Sequence, residues 1–582
     1  MNKSAALPRT APFAPDDIAR LDHVLATASH QQRAWLSGFL AGLDAAEPHA
    51  ERPVAPPGAK AKLTILYATE SGNAEALANS ARREAQQRGF AVTLVDMAET
   101  EPAALQTLNA LLVIASTWGE GEAPQRAAPF LRALLADTAP TLTGLPYAVL
   151  ALGDSAYAKF CATGRQIDER LAALGARQIT KRVECDLDYE EKANQFIKET
   201  LSLFTPDTET EAVIHVDFQR GETREISKTH PFMAGVTALH PLTSSRAEGE
   251  TWHLELDLSG SGLRYEPGDT LGLAPQNDPE LVEEILKITG LSGDQALYHA
   301  LHQERDITTL TATIISDYAA LTQEAKLISL AQNHQERTAF LAGRQIIDLF
   351  TAFPHRLEAP HLIALLRKLP ARYYSLASSQ KLVGDAAHLA IARVAYERAG
   401  RARQGVASGM VAQRLRVDDT LPIHIKPNPH FRLPEDPATP LIMIGAGTGI
   451  APYRAFLQDR EAAGTTGPSW LIFGHRRFTH DFLYQLEIQT WLQTGILSDL
   501  DLAFSRDQPE KFYVQHVLRA RADKVRRQLD EGAVIYLCGD ATAMARGVEA
   551  ELIDILGQGD EALGHIALEN LVATKRYRKD VY

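Results

Sequence analysis

Cysteine is scarce in this chain of 582 residues: three occur, Cys161, Cys185 and Cys538, widely separated and without a Cys-x-x-Cys pair. Neither an iron–sulfur cluster nor a structural zinc site of the usual spacing can be built from them. Redox metal chemistry, if any, lies elsewhere. Apolar runs long enough to span a bilayer are also missing, and the opening "MNKSAALPRTAPFAPDD" lacks the apolar core of a secretory signal. A soluble, cytoplasmic protein is expected. Positive charge is in deficit, with a formal net charge of −14. That argues against a nucleic-acid binder and leaves room for an acidic docking face, although most of these carboxylates are expected simply to be solvated.

What is present is ample apolar sequence, 45% of the chain, enough for three or four cores. Residues 1–46 place Ile18, Leu21, Leu25, Trp35, Phe39 and Leu43 at helical spacing, which predicts a short helical hairpin. Residues 47–61 are rich in Ala and Pro, the composition of a tether. From residue 62 to about 204, "KLTILYAT", "AVTLVDM", "ALLVIAST", "YAVLALGD" and "RQITKRVEC" alternate with helical sequence. That pattern predicts a doubly wound parallel sheet with ligand loops beyond the strand ends, here "ATESGN", "STWGEGE" and "LGDSAYAKFC". The first loop sets hydroxyls and bare backbone at a helix mouth, a setting for a cofactor phosphate. An ordinary turn capped by Thr69, Ser71 or Asn73 is the alternative.

A polar connection over residues 205–227 precedes β-like runs, helical sequence from about Asp278 to Leu369, and further strands, "ARYYSLASS" and "AHLAIARVAYE". This reads as a β-barrel-like domain, 228–434, with a helical insert. From 435 to 582, "PLIMIGAGTGIAPYRAFLQDR" opens a second series of βα units. Its Gly445, Gly447 and Gly449 stand where a strand turns into a helix and backbone can approach a pyrophosphate. Downstream, Ser505, Arg506, Lys511, Tyr513 and Gln515 suit the extra phosphate of NADPH; a solvated basic turn is the alternative. In "RYYS", Arg372 and Tyr374 share one face of a strand and Tyr373 and Ser375 the other. A phosphate and a flat ring could be met from one tetrapeptide, though strand aromatics often just pack.

Together these motifs resemble the diflavin reductases, and within them the flavoprotein components of NADPH sulfite reductases, over essentially the whole chain, from "AWLSGFLAG" to "RYRKDVY". The resemblance implies a multidomain α/β protein. Its parts are a flavodoxin-like FMN domain, a ferredoxin-NADP reductase-like FAD barrel with a helical insert, and an NADP-binding α/β domain. For FMN it implies Thr69, Glu70, Ser71, Gly72, Asn73 and Ala74 as the phosphate loop. Ser116, Thr117, Trp118 and Gly119 would form the second loop, and Leu152, Gly153, Asp154, Ser155, Ala156, Tyr157, Ala158, Lys159, Phe160 and Cys161 the third. Trp118 and Tyr157 would plate the two faces of the flavin, and Cys161 would pack. For FAD it implies Thr308, Arg372, Tyr373, Tyr374, Ser375, Ala390, Ile391, Ala392 and Tyr396, with the pyrophosphate loop Gly405, Val406, Ala407 and Ser408. Val406 stands where relatives carry glycine, and fits if its φ stays negative.

For NADPH the resemblance implies Gly445, Gly447, Thr448, Gly449, Ser505, Arg506, Lys511, Phe512, Tyr513, Val514 and Gln515; Gly547, at a position usually acidic in relatives, receives no contact. Ser375, Cys538 and Asp580 would lie beside the nicotinamide, and Tyr582 would cover the FAD ring and move aside. The implied partner is a separate haem-bearing sulfite reductase subunit, with the N-terminal segment joining subunits and a swinging FMN domain on the 205–227 connection. The alternatives are a diflavin reductase for another acceptor and a non-catalytic flavin-binding scaffold.

Overall fold

The computed structural model describes residue 20 and residues 61–582, apart from 71, 120, 158, 205–225, 399 and 465–466. The expected N-terminal hairpin, nearly all of the tether and most of the 205–227 connection lie outside the described residues. Ser71 and Ala158 do so as well.

Three sheets follow in chain order. The first holds β1 (Lys62–Ala68), β2 (Ala91–Asp96), β3 (Leu111–Ser116), β4 (Pro146–Leu152), β5 (Arg177–Gln178) and β6 (Val183–Cys185). All pair in parallel, in the order β2-β1-β3-β4-β5 with β6 also on β4. In β3 the residues from Leu111 to Ala115 are fully buried, as a central parallel strand covered by helices on both faces must be. This is the doubly wound order of flavodoxin-like folds. "RQITKRVEC" is not the single strand expected: it breaks into β5 and β6. Between them Arg182 pairs with Asp168 of the helix Ala162–Ala173 and with Glu184, contacts that turn the backbone out of register with β4.

The second sheet is antiparallel: β7 (Phe232–Pro241), β8 (Thr251–Asp257), β9 (Thr270–Leu273), β10 (Arg372–Ser375), β11 (Ala386–Ala392) and β14 (Thr420–Lys426), in the order β10-β9-β14-β7-β8-β11. A bridge between Leu376 and Leu389 joins the end strands and closes the barrel. Leu254, Leu256, Leu271, Leu389 and Ile423 fill it. "AHLAIARVAYE" likewise splits, its second half forming β12 (Ala395–Arg398), which pairs with β13 (Arg401–Gln404) as a separate ribbon. Between β9 and β10 stand seven helices, the first Pro279–Thr289 and the last Ala359–Leu365. Asp278, Asp294, Thr311 and Asn333 cap helices there by accepting backbone N–H groups. This insert has its own core around Tyr318 and Phe350.

The third sheet is parallel, β17-β16-β15-β18-β19, built from β15 (Leu441–Ala446), β16 (Ser469–His475), β17 (Asp499–Phe504), β18 (Val534–Gly539) and β19 (Tyr577–Val581). Separate cores cover its two faces. Its helix Ala451–Ala463 leans on the barrel. There Arg454 donates to the Ala377 carbonyl at 2.6 Å and Asp459 accepts the Ser379 hydroxyl at 2.7 Å. The strand ends of this sheet thereby face the barrel.

Candidate functional site

The helix Asn73–Gln87 begins after Gly72, which holds φ 81° and offers no side-chain cap. A cap from Thr69 or Asn73 is therefore not what orders this turn; left-handed backbone, easy for glycine, is. The first N–H groups of a helix have no partner within it, and at this end Thr69 Oγ1 and Ser116 Oγ are buried without a partner. Orphaned hydroxyls at a helix mouth fit a bound phosphate. Next to them Trp118, Gly119, Tyr157, Lys159 and Phe160 line a cavity of about 600 Å³, together with Leu187 and Tyr189. The last two come from the turn after β6 and were missed in the sequence, because nothing in the charged run that holds them marks a ligand loop. The far wall is supplied by Thr542, Arg546, Glu549, Lys579 and Tyr582 from the third sheet.

Two further predicted residues here do structural work. Cys161 is fully buried and stands at φ 54° before its helix. Its thiol donates to the Ala151 carbonyl at 3.5 Å, and burial pushes its pKa up to about 12. A Cβ on Gly153 would lie 2.7 Å from the Cys161 nitrogen, so these residues pack rather than react. Glu70 accepts the Gln125 N–H at 2.7 Å, and burial raises its carboxyl pKa.

A second cavity, of about 890 Å³, opens between the insert and the β12–β13 ribbon, lined by Thr308, Arg393, Tyr396, Arg403, Gly405 and Val406 among others. Arg393 Nε, Arg403 Nε and Gln404 Oε1 are buried there without partners. The two unspent guanidinium N–H donors beside an exposed aromatic fit a dinucleotide with its pyrophosphate, and the Gln404 oxygen is an acceptor left over. Val406 opens the short helix Val406–Gly409 and keeps out of the left-handed region, so the stated condition is met. Ser408 Oγ accepts the Val394 N–H at 3.1 Å. Ala390 and Ile391 are buried in β11. Arg372 Nη1 donates to the Pro370 carbonyl, two residues back, at 2.7 Å. Tyr374 packs against the barrel core, whereas Tyr373 is exposed, with its hydroxyl 3.3 Å from His424 Nε2 and Lys426 Nζ over its ring.

Between barrel and third sheet the catalytic candidates meet. Ser375, at the end of β10, donates to Asp580 Oδ2 at 2.8 Å. Asp580 stands opposite Cys538 in the β18–β19 register, and Cys538 opposite Gly445. Burial raises the Asp580 pKa, opposed by the Ser375 hydrogen bond and the charge of Lys426. Lys426 itself is drawn down to about 8, mainly by burial; nothing in its local sequence marks it as a site residue. Cys538 is fully buried and its thiol pKa lies well above the usual range. A Cβ on Gly449 would stand 2.1 Å from the Cys538 carbonyl oxygen, so the loop after β15 approaches this strand end as only glycine permits. Tyr582 is 57% exposed, its hydroxyl 2.7 Å from Thr448 Oγ1, and its N–H donates to the Gly539 carbonyl at 3.0 Å.

The cavity of about 320 Å³ beyond β15–β17 is lined by Ser505, Tyr513, Val514 and Gln515, with His475 and Asp540. Gln515 Oε1 is buried without a partner, and its Nε2 would lie 3.0 Å from a Cβ at Gly547. Gly547 thus makes room for Gln515, a role not visible in the sequence. Arg506, predicted to meet a phosphate, pairs with Glu248 of the barrel. Phe512 is partly exposed at the pocket's edge. On the barrel side of the junction His253, Glu255 and His388 cluster at metal-ligand spacing. Arg454 Nη1 lies 3.3 Å from His388 Nδ1, so a guanidinium already fills the place of a cation.

A flavodoxin-like sheet, an FAD-type barrel and a nicotinamide-type sheet in one chain define a diflavin oxidoreductase. The flavodoxin family matches residues 65–198, the FAD binding domain family residues 224–323 and 294–410, and the oxidoreductase NAD-binding domain family residues 443–550. The chain is 40% identical to the sulfite reductase (NADPH) flavoprotein alpha-component of Bacillus subtilis, covering 98% of this chain and 99% of that one. It is 38% identical to the proteins of the same name from Yersinia enterocolitica, over 98% of both chains, and from Vibrio parahaemolyticus, over 99% of this chain and 96% of that one. The chain belongs to the family of NADPH sulfite reductase flavoprotein alpha-components, and its cofactors are FMN, FAD and NADPH.

Proposed function

We propose that this chain is the electron-supplying half of an assimilatory NADPH sulfite reductase, serving a separate haem and iron–sulfur subunit that converts sulfite to sulfide. The observation that carries this reading is the meeting of Ser375, Asp580 and Cys538 one residue from the strand-end bond between Tyr582 and Gly539, with Tyr582 also lining the 600 Å³ cavity. When bound, FAD would supply hydride-acceptor chemistry and FMN single-electron transfer. The chain's residues hold and shield that chemistry. The Ser375 hydroxyl donates to Asp580 Oδ2 and fixes the carboxylate beside the strand end. Lys426 offsets the negative charge. Cys538, held neutral, offers a small polarisable wall and no nucleophile. Tyr582 is tethered through its backbone to Gly539 and through its hydroxyl to Thr448, so its ring can leave at the cost of one hydrogen bond.

The N-terminal segment is assigned subunit association and docking of the partner, and the 205–227 connection the release of the FMN domain toward it. The domain limits used are 62–204, 228–434 and 435–582. Among the described residues no helix is long and apolar enough to cross a membrane, in keeping with a cytoplasmic enzyme. The test is anaerobic titration of the flavin-loaded chain with NADPH, followed by addition of a haem subunit and sulfite. Reduction of two flavins, with sulfide formed only when that subunit is present, is expected. Reduction without sulfide reassigns the acceptor, and no reduction defeats the reading.

A further inference from the structure

Where the loops of the first sheet meet the barrel, one guanidinium faces three carboxylates. Arg367, in the run leading into β10, places Nε and Nη2 at 3.2 and 3.1 Å from Asp306 Oδ2. Its Nη1 lies 3.0 Å from Asp154 Oδ1 and 3.7 Å from Asp186 Oδ1. The two sides of this arrangement differ. Asp306 is fully buried in the insert, and its other oxygen accepts the Thr308 and Thr309 N–H groups and the Thr308 hydroxyl. It stays with the reductase part and holds Arg367 extended. Asp154 and Asp186 belong to the flavodoxin-like part, and each organises a loop of the FMN cavity. Asp154 accepts the Ala156 N–H at 2.9 Å, just before Tyr157; Asp186 accepts the Ser155 and Leu187 N–H groups at 3.0 and 2.8 Å, just before Tyr189.

Other ion pairs cross the same boundary, but the side chains of Arg546 with Glu122 and of Arg132 with Glu569 are 45–69% exposed, and those of Lys228 with Glu190 and of His430 with Glu75 are 28–43% exposed. Pairs of that kind contribute little. Arg367 is 15% exposed and carries a planar fork that serves both sides at once. We propose that Arg367 is a latch, a positioning residue that reversibly docks the FMN loops on the FAD barrel so that electrons pass between the flavins. The proposal rests on the functional reading above. Undocking leaves Arg367 paired with Asp306, so neither charge is stranded in a buried site. The freed Asp154 and Asp186 pass into water, which makes the docked state sensitive to salt.

The experiment follows the flavin-loaded full chain by small-angle scattering against salt concentration. Expansion is expected in the wild type. Arg367→Gln should shift the docked-to-undocked ratio about tenfold toward undocking, and move the midpoint to lower salt. Arg367→Lys keeps the charge without the fork, and should lie between. Because glutamine leaves Asp306 without a cation, Asp154→Asn serves as the second variant, with the Arg367–Asp306 pair intact. It should move the midpoint the same way, and the double variant should shift no further than Arg367→Gln alone. In stopped flow at the salt where docking is half lost, FMN reduction should slow in both variants while NADPH reduction of FAD in Arg367→Gln keeps its rate. Scattering curves that superimpose, shifts that add, or equal slowing of both flavins would overturn the latch. Flavins that NADPH does not reduce would defeat the functional reading, and leave the scattering to decide the latch.

Discussion

Replacing Ser375 by alanine removes the one hydroxyl that donates to Asp580, at 2.8 Å. That hydrogen bond favours the ionised carboxyl, so its loss drives a pKa already raised by burial further up. A hydrogen bond to a charged group is worth about 1.5–3 kcal/mol, so the Asp580 midpoint should rise, with Lys426 left as the group that opposes burial. The assay is single-turnover reduction of FAD by NADPH across the pH range, with flavin content checked in each sample. The plateau rate falls in the variant, because the hydroxyl also lines the reacting centre. The diagnostic quantity is the acid limb, which should move to higher pH. An acid limb that stays in place, or moves down, would show that Asp580 does not set it and that the Ser375 contact is only structural.

Acid should destabilise the junction of barrel and third sheet. His253 and His388 are held down to about 3 and about 4 by burial and the charge of Arg454. Both values lie below the unfolded value of about 6.5, so the folded chain binds fewer protons. Their stabilisation is complete above that pH and is lost below it at up to ~1.4 kcal/mol per unit and histidine. Thermal melts should show the loss, and His388→Gln should flatten its slope; an equally steep slope would refute the assignment. Gly449→Ala forces a methyl to 2.1 Å from the Cys538 carbonyl oxygen; it should raise the KM for NADPH and lower stability by about 2–3 kcal/mol, read by kinetics and calorimetry. Thr69→Val removes an orphaned buried hydroxyl, and should weaken FMN about tenfold without lowering the melting temperature of the flavin-free chain. An unchanged FMN affinity by fluorescence would place the phosphate elsewhere.

The parallel sheets were legible because buried strands such as "ALLVIAST" and "PLIMIG" are continuous apolar runs, and because their loops are small and polar. What escaped the sequence depends on distant partners. Arg506 reads as a phosphate ligand, yet meets Glu248 from the barrel. Lys426 lies in a strand and acquires its role only where β14 passes Asp580. Gln515 and Gly547 fit each other across two helices. Tyr189 lies in the turn after β6 and enters the FMN cavity only through the folding of that turn. The helix after Gly72 shows the reverse case: hydroxyls next to a helix start suggest a cap, but the turn is set by the glycine and the hydroxyls are left for a ligand.

The chain's three thiols, Cys161, Cys185 and Cys538, are all fully buried and unbridged. A maleimide or nitroxide reagent therefore meets an almost silent background in the native protein. Two cysteines introduced on the surface, one beside the first sheet and one on the helical insert, become a molecular ruler without prior removal of the native thiols. The distance between the two halves of this enzyme can then be followed while it turns over.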